Sequence, residues 1–557
     1  MEGKNQTPKE SIWSQIDMHI LIPGVLCLLL IVVLGAVIPD QFNTALLGSL
    51  DWIMEHFKWV YVLCTVLIVV LFLAIIFGKW GDIKLGGKDA EPSISNITWL
   101  TLTITGTIAV GICFYGVSGP VNLFMNPPEF LSVEAGTPEA VVPTLEYCFL
   151  HYGLPVFFLI CCVALMIALV YYNGRQSLKA SSTLYPLIGD RCHGIIGIVI
   201  NVLVIICMID CGTNMGLAVI QLNAGIGTVA GMESTPSFEP YIVIFYTVMA
   251  ILFACSGVHK MMGKLSNFNA ACYFLIMLFV LIAGPIGANR LLTLCMESVG
   301  EFITDFIPMI SFGDSVVQTG WQNNNTMFYY SWNLVPGLLQ ALFYVSIAYG
   351  RTLRQFIVVN CVIPAAVTGT WYVIFGGTAM LQILDGSNLY ELMLQYGDGI
   401  ATFAFLDMLP AGTFLKWFFI ILAMVTFITF ADSIAYSIPM LFMKKTELDA
   451  SKTNVPKKFN AAVGLFMGFL TFVLLYVGGY DALNSAIVVC GFPCAIVTIF
   501  VVISAFRFLS HRDKYDCTYQ DEIEEKRLAE ERQFQEAVAE AVQEELKKEK
   551  QSNVDLA

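Results

Sequence analysis

Charge is what this chain has least of. Only 13% of its 557 residues are Asp, Glu, Lys or Arg, against 57% hydrophobic, and the mean hydropathy is +0.73. About a quarter charged is usual for a soluble domain, so a soluble fold is excluded and a polytopic membrane protein is expected. The apolar runs are helix-length rather than alternating ten-residue segments, which excludes a β-barrel. Histidine is scarce too: six, scattered, with no His-Glu-x-x-His. Without a nucleophile–base pair or a ligand cluster, a membrane-embedded enzyme is not expected, and no cofactor motif is present. The net charge of −14 gathers in loops and the C-terminal tail, so no nucleic-acid partner is expected. The sixteen cysteines lack metal-ligand or framework spacing and read as small buried hydrophobes, with no metal expected. No small-residue cleavage site follows the first run, Ile20 to Val37, so that run is expected to remain as a membrane anchor.

Hydropathy places twelve spans at 20–38, 59–77, 98–117, 149–172, 194–217, 239–257, 269–288, 327–348, 355–376, 413–443, 459–478 and 484–508. Lys79, Lys84 and Lys88 follow the second, Arg175, Lys179 and Arg191 the fourth, Lys260 and Lys264 the sixth, and Arg351 and Arg354 the eighth. Lys444, Lys445, Lys452, Lys457 and Lys458 follow the tenth. The alternate loops 118–148, 218–238 and 377–411 hold no Lys or Arg. The positive-inside rule then puts both termini in the cytoplasm of a multi-pass plasma-membrane protein.

Residues 1–18 form a cytoplasmic segment and 19–78 two extra spans. The other ten spans divide into 98–289 and 326–508, separated by 290–312. Units of five spans invert in the second copy, so the fold expected is all-α: two N-terminal helices plus a 5+5 inverted-repeat core. In the separating segment Glu297, Glu301 and Asp305 recur every four residues, as on a helix lying in the outer interface. The tail 509–557 is dense in charge, with Phe534, Val538, Val542 and Leu546 at every fourth position of an exposed or partner-packing helix.

The first span of each half is punctuated. Gly106, Gly111 and Gly116 fall every five residues in one; Asn325-Thr326-Met327-Phe328-Tyr329-Tyr330-Ser331-Trp332-Asn333 leads to Pro336-Gly337 in the other. Such residues serve close packing or kinks, but interruption in matching spans points to a midplane solute site. Backbone at Gly106, Ile108, Gly111, Pro336 and Gly337 is expected there. Aromatic faces attract cations, so Trp332, Phe328 and Tyr329 are substrate candidates. Asp210 lies in an unbroken apolar run, where a carboxylate costs about 2.5–3.5 kcal/mol on insertion scales. It is expected to bind a substrate amine, a cation or a proton, or else to pair with Asn201, Asn214 or Thr213.

The sequence resembles the betaine/carnitine/choline transporter family. The resemblance rests on Ser182-Thr183-Leu184-Tyr185-Pro186-Leu187-Ile188-Gly189 with His193-Gly194, on Leu265-Ser266-Asn267 with Asn269, on Gly350-Arg351-Thr352-Leu353-Arg354, and on Ala431-Asp432-Ser433. It implies secondary transport of trimethylammonium zwitterions or cations held in an aromatic cage, and a homotrimer in the lipid bilayer.

The departures are specific. The family's Trp-Thr-x-Phe-Tyr-Trp-x-Trp-Trp reads here Asn325 to Asn333, keeping Trp332 and Phe328 but placing Asn333 at a usual Trp and Pro336 at a usual aromatic. The usual His-Trp-Gly is His151-Tyr152-Gly153, the next Trp position holds Phe157, and Gly119 replaces a Glu. Tyr152, Phe157, Asn333 and Asn122 join the substrate candidates. Sodium-dependent relatives use two hydroxyls in span ten; here Thr429 keeps one and Phe430 replaces the other. Sodium dependence is therefore expected to be weak or absent, with Thr105, Thr429, Asp210 and Asp432 as candidates for sodium or proton coupling. The thinner, more polar cage leaves two substrates open: a trimethylammonium solute, or a less methylated zwitterion such as an amino acid or taurine-like aminosulfonate. A non-transporting solute sensor would share the same membrane part.

Overall fold

The computed structural model describes the backbone of residues 15–107, 109–232, 235–256, 259–444 and 457–555. Among these residues the protein is helical, with two isolated β-bridges, Ile16 to Met443 and Lys84 to Thr352, and no β-ladder. In chain order the main helices are α1 (Met18–Val37), α2 (Pro39–Phe77), α3 (Asn96–Thr107), α4 (Ala109–Met125), α5 (Val141–Tyr152), α6 (Leu154–Ala168), α7 (Ile195–Ile206), α8 (Ile209–Ala230), α9 (Glu239–Ser256), α10 (His259–Ala283), α11 (Ala288–Ser311), α12 (Thr326–Leu339) and α13 (Ala341–Ser346). The remainder are α14 (Leu353–Leu384, carrying two π-turns), α15 (Gly412–Leu441), α16 (Lys457–Ser510) and α17 (Cys517–Asp555).

Helix covers most of each of the twelve expected apolar stretches. Nine described helices are long and apolar enough to cross a membrane, and the bent pair Asn96–Gly106 and Gly111–Met125 makes a tenth. In hydrocarbon each backbone group must be satisfied inside its own segment, which is why sequence this apolar settles into helix. The expected gap between spans eleven and twelve is not a loop: the backbone stays helical from Lys457 to Ser510. α16 packs against α2, α8, α9 and α12, and α12 packs against α6.

The arginine motif is a fastening. Arg351 donates to Asn96 and, at 2.6 Å, to the Ile94 carbonyl, and its guanidinium lies 4.6 Å from the Trp99 ring centroid. Arg354 binds the Ile76 and Gly78 carbonyls and pairs with Asp82. Gly350 is required beside them: its φ is +74°, and a Cβ would stand 2.5 Å from the Glu91–Pro92 backbone. Asn267 accepts from Thr101 and Asn269 donates to Thr426, so the second family motif joins α10 to α3 and to α15.

On α11 the three acids are exposed while Leu291, Leu294, Met309 and Ile310 are buried, and Leu292, Met296, Ile303 and Ile307 are exposed beside them. The tail is the helix α17, with Phe534, Val538 and Val542 exposed.

Candidate substrate pocket

Of the two expected interruptions, the first is present as a bend and the second is displaced. Between the two glycine-rich halves of the first segment the axes incline by 57°. In the second segment the helix runs through Pro336-Gly337 and stops only at Gln340, four residues later than expected. Pro336 has no N–H to give the Trp332 carbonyl, yet it is accommodated within the helix. Gly337 serves close approach, since a Cβ there would lie 3.0 Å from the Leu159 carbonyl of α6. The apolar run holding Asp210 is also broken. Residues 205–211 turn more tightly, with N–H to O=C bonds from Met208 to Ile205 (2.9 Å) and from Asp210 to Cys207 (3.0 Å).

A small cavity of about 70 Å³ lies where these segments meet. Gly111, Tyr152, Phe157, Asp210, Trp332, Asn333 and Pro336 all line it, residues drawn from four separate stretches of sequence. A Cβ on Gly111 would meet nothing within 4 Å, so that glycine opens on empty space. Asp210 is fully buried. Its Oδ1 accepts from Asn214 at 2.7 Å, Oδ2 makes no hydrogen bond within 3.5 Å, and the Trp332 side chain lies beside the carboxylate. Thr368 Oγ1, the Tyr372 hydroxyl and His151 Nδ1 are likewise buried without a hydrogen bond on residues lining the same cavity. Unmatched buried polar atoms are costly, and four around one cavity are groups a polar solute or water can satisfy.

Aromatic rings close one side. Trp332 lies 5.4 Å from Tyr115 edge-on and 5.7 Å from Phe328 between ring centroids. The Tyr152 and Tyr329 hydroxyls hydrogen-bond to each other, and Tyr152 stacks on Tyr372 at 4.5 Å. His151 stacks on Tyr329 at 4.4 Å and bonds Thr326 through Nε2 at 3.0 Å. Beyond these rings is a second pocket, lined by Tyr115, Phe328, Tyr329, Asn122, Asn126 and Asn323 to Asn325. Phe328, Tyr329 and Asn122 thus face the vestibule and not the inner cavity; Asn122 donates to Asp398 at 2.9 Å. Burial holds the Asp398 carboxyl above its ordinary range, and the Asn122 hydrogen bond pulls it back.

Of the coupling candidates, Asp210 lines the cavity, and Thr105 and Thr429 do not. Thr105 donates to the Thr101 carbonyl (2.8 Å) and Thr429 to the Thr426 carbonyl (2.7 Å), while Phe430 lines the cavity. Gly106 is buried at the bend. Ile108 and the Asp432 side chain lie outside the described residues. Sequence reasoning missed Thr368, Tyr372, Gln340 and Asn214 as cavity residues. Tyr372 begins a π-turn, a feature frequent at functional sites, but Tyr372-Val373-Ile374-Phe375-Gly376 reads only as apolar helix.

Bent helices around a small cavity, bearing one carboxylate and a ring of aromatics within a bundle of apolar helices, define a membrane carrier of small solutes. The family description "BCCT, betaine/carnitine/choline family transporter" matches residues 19–514, and the chain belongs to that family. It is 29% identical to the glycine betaine transporter OpuD of Bacillus subtilis (strain 168), over 86% of this chain and 91% of that one. It is 28% identical to the high-affinity choline transport protein of Escherichia coli (strain K12), over 87% and 71%. It is 26% identical to the ectoine/hydroxyectoine transporter of Virgibacillus pantothenticus, over 87% and 95%.

Proposed function

We propose that the protein carries a small quaternary ammonium solute across the membrane, a net cation of the choline type in preference to a zwitterion, with Asp210 facing its charge. The observation that carries this reading is the fully buried Asp210 carboxylate on the cavity that Trp332 also lines. A fixed negative charge in a low-dielectric cavity favours a ligand that brings one positive charge and no second carboxylate. The indole face adds cation–π attraction that needs no N–H donor on the ligand. Thr368, Tyr372 and His151 offer hydrogen bonds to a ligand hydroxyl. Relatives named for betaine and for choline fit the same solute class. With Phe430, which offers no oxygen, in place of a second hydroxyl, sodium dependence at that site is weak or absent.

A second reading has its own support. Asn333 and the Asp210 carboxylate are acceptors, and a primary ammonium needs acceptors where a trimethylammonium does not. Proteoliposome uptake of labelled choline, betaine, glycine and taurine, with and without sodium, separates the two. Choline uptake that glycine and taurine do not compete supports the quaternary reading; selective uptake of an unmethylated solute replaces it. Counterflow of labelled solute distinguishes a carrier from a sensor, which binds without exchanging.

A further inference from the structure

Three thiols that do not line the solute cavity meet close to it. Cys207 stands in the tight turn between α7 and α8; Cys490 and Cys494 lie one helical turn apart on α16. Cys207 and Cys494 are fully buried and Cys490 is 6% exposed. The three sulfur atoms all lie within 4.8 Å of one another, with Cys207 Sγ and Cys494 Sγ 3.4 Å apart. It is the sole cluster of three such potential ligands among the described residues. With metal–sulfur bonds of about 2.3 Å, three sulfurs around one ion stand about 4 Å apart, within reach of the observed spacing. Three sulfur ligands select soft ions, of which monovalent copper is the biological representative; the Cys490 carbonyl, which accepts from the Cys494 thiol at 3.2 Å, is a hard donor that such an ion does not need.

We propose that Cys207, Cys490 and Cys494 form a binding site for a soft monovalent metal ion, Cu(I) or its analogue Ag(I). Charge decides the form of the complex. Three thiolates around one Cu(I) would leave a charge of −2 in hydrocarbon, which is costly. One thiolate and two thiols leave none. Binding therefore breaks one S–H bond, forms three Cu–S bonds and releases one proton to water as one Cu(I) enters, so the total charge is unchanged. The site ties the α7–α8 turn to α16 three residues before Asp210, so an occupied site pins the turn that places the cavity carboxylate. A metal site at this hinge is independent of which solute the cavity takes.

The test uses the full chain, purified in detergent under reducing conditions and titrated into the coloured bicinchoninate complex of Cu(I). The wild type is expected to withdraw one tight equivalent. Cys490→Ser and Cys494→Ser are each expected to weaken that withdrawal at least tenfold, while Cys295→Ser, a thiol outside the cluster, leaves it unchanged. No tight equivalent in the wild type, or equal withdrawal by all variants, overturns the proposal. Where the serine variants fail to fold, X-ray absorption of the copper-loaded wild type decides: three sulfur neighbours support the site, and a two-sulfur or nitrogen- and oxygen-rich shell contradicts it.

Discussion

The Tyr152 hydroxyl lies 2.6 Å from where a Cβ on Gly119 would stand, so the two positions are sterically tied. Where family members carry Glu and Trp, this chain carries Gly119 and Tyr152, and the tyrosine hydroxyl takes the space that a side chain at 119 would need. From there it bonds Tyr329 and helps close the ring of aromatics over the cavity. Gly119→Ala should displace Tyr152 and lower uptake at least fivefold, an order-of-magnitude expectation for a misplaced binding group. Adding Tyr152→Phe removes the clashing oxygen and should recover part of the loss. A double-mutant cycle on uptake rates reads this coupling, and additive effects would dissolve it.

Trp332 presents the ring expected to hold the cation. Cation–π contact at a desolvated site contributes up to about 2 kcal/mol, roughly thirtyfold in affinity. Trp332→Ala should therefore weaken choline binding at least tenfold, and Trp332→Phe less. Titration of the purified variants by calorimetry checks the order.

Sodium provides a separate check. Replacing external sodium with potassium should leave uptake within about twofold, and Thr429→Ala should behave likewise, since Phe430 beside it supplies no oxygen to complete a sodium shell. A tenfold fall in either measurement would restore an ion site at this position.

Asp398 sets a pH expectation for stability. Burial raises its folded-state pKa above the unfolded value, so the native protein binds the proton more readily than the unfolded chain. The stability it contributes is present below the unfolded pKa and is lost as pH rises through the folded one. Asp398→Asn should therefore gain melting temperature relative to wild type at pH 8 and lose that advantage at pH 4. Thermal unfolding at the two pH values measures it; a larger gain at pH 4 reverses the assignment.

Much of this architecture was legible because hydrocarbon allows few solutions. Runs such as Ile20 to Val37 can only be helices there, and seven candidate residues, among them Asp210, Trp332 and Gly111, do converge on one cavity. What escaped was geometry set by neighbours. Pro336-Gly337 looked like a break, but α6 packs closely enough on Gly337 to keep the helix whole as far as Gln340. The turn at Cys207 has no Gly or Pro to announce it. Cys490 and Cys494 stand four apart, a spacing that brings two thiols together only on a helix, and their third partner is 283 residues earlier at the nearest. Phe328 and Tyr329 belong to the tryptophan-bearing motif yet line the vestibule, because they lie about one helical turn before Trp332 along α12.

The charge on Asp210 is the central claim, and Asp210→Asn tests it with little change of shape. Choline uptake in proteoliposomes should show a KM raised at least tenfold, about 1.4 kcal/mol, with Asp210→Glu intermediate. An unchanged KM for choline in Asp210→Asn, in protein that still folds, would contradict it.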